Sequence, residues 1–138
     1  MLSINKRNEL VKWATTKVGL PFVWGKTDCT TITLEGIEKY YGIKFPLENT
    51  WSSLKEALRA YKKYGTPPEL LEKEGLKKIQ KKFEQTGDIF CWQGHGYWLI
   101  GIVIYNCVLV ADEGKMVSLK RILAFTEDYA VYGRRGSG

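Results

Sequence analysis

Phe22-Val-Trp-Gly-Lys-Thr-Asp-Cys29 is the stretch that decides the fold, because it delivers a cysteine to the first turn of an amphipathic helix. Asp28 is a good N-cap, its carboxylate able to accept from the open backbone N–H groups of that turn. Beyond it, Cys29, Ile32, Thr33, Gly36, Ile37 and Tyr40 recur at helical spacing, so the thiol shares its face with residues that must pack inward. Gly42 closes the helix, and Pro46 follows shortly. The partial positive charge at a helix N-terminus favours thiolate over thiol, which makes Cys29 a candidate nucleophile. The plain alternative is a small buried apolar residue.

Upstream, Ser3 or Asn5 can cap a first helix whose inward stripe is Leu10, Ala14 and Val18 with Val11 beside it, stopped by Gly19 and Pro21. Downstream, a third helix is expected from about Thr50, with Trp51, Leu54, Leu58 and Tyr61 on one face and an end at Gly65 and Pro67-Pro68. A short helical segment follows over residues 69–73. From Gly87 the pattern changes to strands, at 88–93, 97–105, 107–111, 116–119 and 129–133, with a turn of helix over 120–125. Helices first and strands second predict an α+β domain over residues 1–138, with N-terminal helices packed on a C-terminal antiparallel sheet of about five strands. Residues 74–86 read two ways: an amphipathic segment with Leu76, Ile79 and Phe83 on one side, or an edge strand at Leu76-Lys-Lys-Ile-Gln80.

A chain of 138 residues fits one domain around a single core, and 44% hydrophobic content with 5 Trp, 8 Tyr and 5 Phe is that of a well-packed protein. Charges interrupt every apolar window of the first 20 residues, which therefore read as neither signal peptide nor membrane span. Cys29, Cys91 and Cys107 are odd in number, form no CxxC and accompany one histidine, arguing for reduced thiols and against both a disulfide framework and a zinc site, and no cofactor is expected. Cys91 and Cys107 lie in apolar strand contexts that suit small core residues. Lys and Arg exceed Asp and Glu by 21 to 15, concentrated at residues 73–82 with an Arg134-Arg135 pair near the end. No aromatics interleave with those lysines, so a solvated face is expected and nucleic acid is an unlikely partner.

The run from Gly19 to Cys29, the helix ending in Tyr41-Gly-Ile43, then Lys44-Phe-Pro46, Gly87-Asp88-Ile-Phe90 and Gly101-Ile-Val-Ile-Tyr-Asn106 together resemble the NlpC-type papain-like cysteine peptidases of bacterial cell walls. The short loop before Cys29 and the insert over residues 51–85 look most like a compact branch carried by tailed bacteriophages. The resemblance implies a cysteine opening a helix, with a catalytic histidine on a strand of the form His-Val-Gly-Ile. Aligning Gly101-Ile102 with that strand puts Leu99 at the histidine position. Ala111 falls at the position of the third, orienting group, with Asp112 beside it, and Phe22 stands where a tyrosine hydroxyl usually helps the oxyanion. A papain-like site needs an imidazole to take the thiol proton and return it to the leaving amine, and leucine does neither. His95 is the sole imidazole, about 13 Å along the strand from position 99 unless its glycine-flanked loop folds back over Cys29.

Three functions compete on these residues. The first is a virion component of a phage tail tip or baseplate with a degenerate hydrolase site, partnered by other tail proteins through exposed aromatics such as Trp51, Trp92, Tyr97 and Trp98. The second is an active peptidoglycan endopeptidase using Cys29, with His95 as base and Asp112 as orienting group. The third is a basic module that binds an anionic polymer. The first implies a location in the virion after synthesis in the host cytoplasm.

Overall fold

The computed structural model describes residues 3–45, 51–94 and 96–134. Helix α1 spans Ile4–Lys17, and Ser3 caps it by accepting from the Lys6 N–H at 3.2 Å. Leu10, Trp13 and Ala14 are its buried residues. Val18 does not extend the stripe: the helix stops at Lys17, Val18 is extended, and its side chain is 42% exposed.

Helix α2, Cys29–Tyr41, begins at the Asp28 cap and ends at Gly42, whose φ of 71° is the left-handed conformation that favours glycine. It is covered on several sides, with Thr30, Thr31 and Tyr41 buried as well as the inward stripe. Gly36 is where α2 approaches the rest most closely, since a Cβ there would run into Ile102 Cδ1 and the Trp13 ring.

Helix α3, Leu54–Tyr64, starts later than its apolar spacing suggests, because Ser53 caps it by accepting from the Glu56 N–H. Trp51 therefore lies ahead of the helix, and Thr50 and Pro46 lie outside the described residues. Helix α4, Pro67–Lys73, uses the proline pair to start, where a missing N–H costs nothing.

Six antiparallel strands follow: β1 Lys77–Ile79, β2 Ile89–Gly94, β3 Tyr97–Ile104, β4 Cys107–Val110, β5 Ser118–Arg121 and β6 Tyr129–Gly133, in the order β1-β6-β2-β3-β4-β5. The sixth strand comes from the ambiguous lysine-rich segment. Glycine at 75 turns the chain out of α4, and Lys77-Lys-Ile79 pairs with β6 as an edge strand. Its two exposed lysines stand on the open edge, a usual safeguard against further strand pairing. The helical alternative fails, and Phe83, expected to face inward with Ile79, is 60% exposed. β5 begins at Ser118 because Met116 and Val117 are engaged elsewhere, bridging to Pro21 and Leu20. A short 3-10 turn, Ile122–Ala124, succeeds it.

One sheet face, with Ile100, Ile102, Ile104 and Leu109, joins the core formed with α1, α2 and α4. The other face packs Phe90, Trp92, Val103, Val108, Val110 and Val131 under Phe125 and Tyr129, with Phe90 stacked on Tyr129 at 4.4 Å between ring centroids. Trp92 and Trp51 are consequently buried, at 5% and 4% exposure, and Tyr97 and Trp98 are half-buried, so the expected row of exposed aromatics does not form. Gly101 marks the tightest packing on this second face. A Cβ there would lie 2.5 Å from Val108 Cγ1 and 2.7 Å from the Leu109 carbonyl oxygen. Gly101→Ala is expected to cost about 2 kcal/mol, read as a lower urea midpoint with unchanged slope.

Candidate functional site: a cleft over Cys29

The loop that leads into α2 is built by its own hydrogen bonds. Val23 N–H donates to Thr27 Oγ1, Thr27 Oγ1 donates to the Pro21 carbonyl, and Gly25 N–H donates to Asp28 Oδ2 at 2.6 Å. A second set ties the loop to the segment after β4: Gly19 N–H to the Val117 carbonyl, Val117 N–H to Leu20, and Phe22 N–H to Lys115. Trp24 stands edge-on to Phe22 and donates through Nε1 to Glu113 at 2.6 Å.

Asp28 is the hub of this arrangement. It is 3% exposed, and its carboxylate accepts from Gly25 N–H, Thr31 N–H, Thr31 Oγ1 and Trp51 Nε1. On the other side of Cys29, the Thr30 hydroxyl is hydrogen-bonded to the Tyr61 hydroxyl at 2.6 Å. Both sequence neighbours of the cysteine thus hold the segment 51–61, and α3 lies over the site as a roof with Leu54, Ala57, Leu58 and Tyr61 facing inward. The result is a cleft of about 420 Å³ whose lining includes Phe22, Cys29, Leu99, Ala111 and Asp112.

Five of the six residues that the resemblance assigns to a papain-like frame, Phe22, Cys29, Leu99, Ala111 and Asp112, line this one cleft, and Cys29 is the first residue of α2. Leu99 also packs against the second core, close enough to Gly94 that a Cβ on that glycine would sit 3.1 Å from its Cδ1. Pairing of β2 with β3 runs through Gly94 and Tyr97. His95 itself lies outside the described residues. Among the described residues, the cleft lining contains no imidazole, no cluster of His, Cys, Asp and Glu is placed to hold a metal ion, and no helix is long and apolar enough to cross a membrane.

Burial pushes the Cys29 thiol up to about 11. The backbone of Ile100 and the Thr30 hydroxyl pull it down, and the Asp28 charge raises it further. Helix-terminus activation is thus overridden, chiefly by desolvation, with the Asp28 charge that caps the first turn adding to it. Burial also raises Tyr61 and Cys91. Cys91 is fully buried on β2 and Cys107 is half-buried on β4, and all three cysteines are free thiols.

The roof residues and the Asp28–Trp51 bond were not evident as site features in the sequence. The stripe of Leu54, Leu58 and Tyr61 was its only signal, and it reads equally well as core. Tyr61→Phe is expected to destabilise the protein by about 1 kcal/mol and to speed alkylation of Cys29 severalfold, with Cys107 in the same digest as the reference. An unchanged rate for Cys29 would mean that the Thr30–Tyr61 bond does not hold the roof down.

A family model described as "Domain of unknown function (DUF6950)" matches residues 4–127. The solved structure of RipD from Mycobacterium tuberculosis, described as a non-catalytic NlpC/p60 domain protein adapted to peptidoglycan binding, superposes with a TM-score of 0.52 at 12% sequence identity. The match covers 91% of this chain and 95% of that one. At that identity the likeness concerns the fold, which is of the NlpC/p60 type. No curated protein matches the chain in sequence.

Proposed function

We propose that this chain, which belongs to the DUF6950 family, is a non-catalytic NlpC/p60-fold domain that serves as a component of a bacteriophage tail tip or baseplate and meets peptidoglycan through the cleft over Cys29. The observation that carries the reading is the cleft itself: a buried thiol pushed up to about 11 stands beside Leu99 and Ala111, apolar side chains at the positions where the resemblance expects the base and its orienting group. Packing and binding are what such a site can still provide. The phage setting is supported by the compact loop before Cys29 and the insert that becomes α3, and a peptidoglycan ligand by what is described for the fold neighbour RipD.

The parent chain, Cys29→Ala and Leu99→His are to be incubated with purified sacculi, and purified virions of a phage encoding the chain examined by mass spectrometry and electron cryo-microscopy of the tail. Sedimentation of parent and Cys29→Ala alike with sacculi, no release of soluble fragments, and presence in the particle are the expected results. Leu99→His is expected to stay inactive, because Ala111 leaves a new ring without an orienting partner. Robust cleavage by the parent, abolished by Cys29→Ala, would instead establish an endopeptidase with Cys29 as nucleophile.

A further inference from the structure

The positive charge that the sequence concentrates at residues 73–82 does not form a patch in the fold. Lys77 and Lys78 follow each other along β1 and so point to opposite faces of the sheet, and Lys81 is paired with Asp128 at 2.8 Å. The patch lies on α3 instead. Lys55, Arg59, Lys62 and Lys63 stand at i, i+4, i+7 and i+8, all exposed, and form one stripe about 12 Å long on the outer surface of the roof. The opposite side of the helix turns Leu54, Ala57, Leu58 and Tyr61 toward the cleft. Among the described residues, ion pairs join Lys17 to Glu35 and Lys81 to Asp128, and none reaches the stripe. Glu56, the one carboxylate of α3, accepts from Ser52 Oγ at 2.7 Å.

This stripe works against the helix that carries it. Lys55 with Arg59, and Arg59 with Lys63, are like-charged pairs four residues apart, which destabilise a helix, and Lys55 sits in the first turn, where the helix dipole disfavours a cation. Helix α3 has little burial to offset this, with Ala57 its one buried residue. A polyanion laid along the stripe removes the repulsion. We infer that the outer face of α3 binds a phosphodiester-repeat polymer of the bacterial cell wall, at a second site that stays open while the cleft is filled. Nucleic acid and lipid suit this face less well. Tyr64, the aromatic beside the stripe, packs against the main core with Lys63 Nζ 5.1 Å from its ring centroid, so it offers no open ring for a base to stack on. The apolar side of α3 is turned into the cleft and tied there through the Thr30–Tyr61 bond, so it does not lie in a lipid surface as a membrane-bound helix does. The choice of a wall polymer rests on the reading of the cleft as a peptidoglycan site, since the two ligands are then met together.

The test is binding of the full chain to poly(glycerol phosphate), to an oligothymidylate of equal charge and to phosphatidylglycerol vesicles, over a salt series. Contacts from the four cations to a single-stranded polyanion predict that raising salt from about 50 to about 100 mM weakens binding about sevenfold. In the variant carrying Lys55→Gln, Arg59→Gln, Lys62→Gln and Lys63→Gln, binding of poly(glycerol phosphate) is expected to fall by about tenfold or more and its salt dependence to flatten, whereas the Lys77→Gln, Lys78→Gln variant should bind as the parent does. Glutamine is a good helix former and relieves the repulsion, so the α3 variant should unfold at a urea concentration no lower than the parent's. Parent-like binding by the α3 variant, or tighter binding of the parent to oligothymidylate or vesicles than to poly(glycerol phosphate), would overturn the inference. Sacculi separate it from the cleft reading. Those that carry their phosphodiester polymer should retain the parent more tightly than stripped sacculi, and the α3 variant should bind both alike. Absence of that difference in the parent sinks this inference alone, whereas failure of the parent to bind stripped sacculi sinks the cleft reading and with it the choice of a wall polymer.

Discussion

Replacing Asp28 by alanine is expected to lower the free energy of unfolding by about 4 kcal/mol, a large share of the roughly 5–15 kcal/mol available to a domain of this size. Three contributions add. The substitution removes a helix cap, worth about 1 kcal/mol. It also strands the buried Trp51 indole N–H and the half-buried Gly25 N–H, which now end on Asp28 Oδ2 at 3.1 and 2.6 Å, and a buried donor left without an acceptor costs about 1–3 kcal/mol. Finally it frees the Thr31 hydroxyl, 2.8 Å from the same oxygen. Asp28→Asn is expected to be nearly as harmful, because both oxygens accept, Oδ2 from three donors and Oδ1 from the Thr31 N–H, and an amide keeps one oxygen and turns an NH2 donor toward the other set. Asp28→Ser should recover only the cap. Urea denaturation of the three variants checks this, and an alanine variant within 1 kcal/mol of the parent would show that the loop and Trp51 do not depend on the carboxylate.

What was legible in the sequence follows from how local each signal is. Helix α2 was readable end to end because Asp28, its stripe and Gly42 all act within one or two turns of their own positions. The convergence of Cys29, Leu99, Ala111 and Asp112 was readable through the resemblance, which encodes long-range pairing that no spacing within one segment contains. Strand β1 was only half readable: three residues have too little periodicity to choose between helix and strand, and the choice is made by β6, where Lys77 meets Gly133. Trp51 was misplaced onto α3 because apolar spacing ignores capping, and Ser53 with the distant Asp28 acceptor decides where that helix starts. Trp92 looked available for an interface because its cover, Phe125 and Tyr129, arrives from a segment more than thirty residues later. The raised pKa of Cys29 was not legible for a related reason. A helix N-terminus is visible in sequence, but the roof and the desolvation that outweigh it are not.

Cys29 is expected to resist alkylation at neutral pH by about a hundredfold relative to an ordinary thiol, before any steric protection by the roof is counted. Raising the thiol from 9.0 to about 11 lowers its thiolate fraction at pH 7 from about one in a hundred to about one in ten thousand, and only the thiolate attacks. The rate, followed by mass spectrometry of iodoacetamide-treated protein, should climb about tenfold per pH unit up to pH 10 without levelling. A plateau between pH 5 and 8 would reveal a thiolate paired with an imidazole, and with it an operating catalytic dyad. The same shift has a stability counterpart whose sign is fixed. Because the folded-state value lies above the unfolded one, the protonated thiol's contribution is complete below pH 9 and is lost as pH rises through about 11. Tyr61 and Cys91, also raised by burial, push the same way. The unfolding free energy should therefore fall across that alkaline window, and in Cys29→Ala the fall should be shallower by about 3 kcal/mol. Identical alkaline profiles for parent and variant would mean that the thiol is not desolvated by the α3 roof, and that the site is more open than a binding cleft with a sealed floor requires.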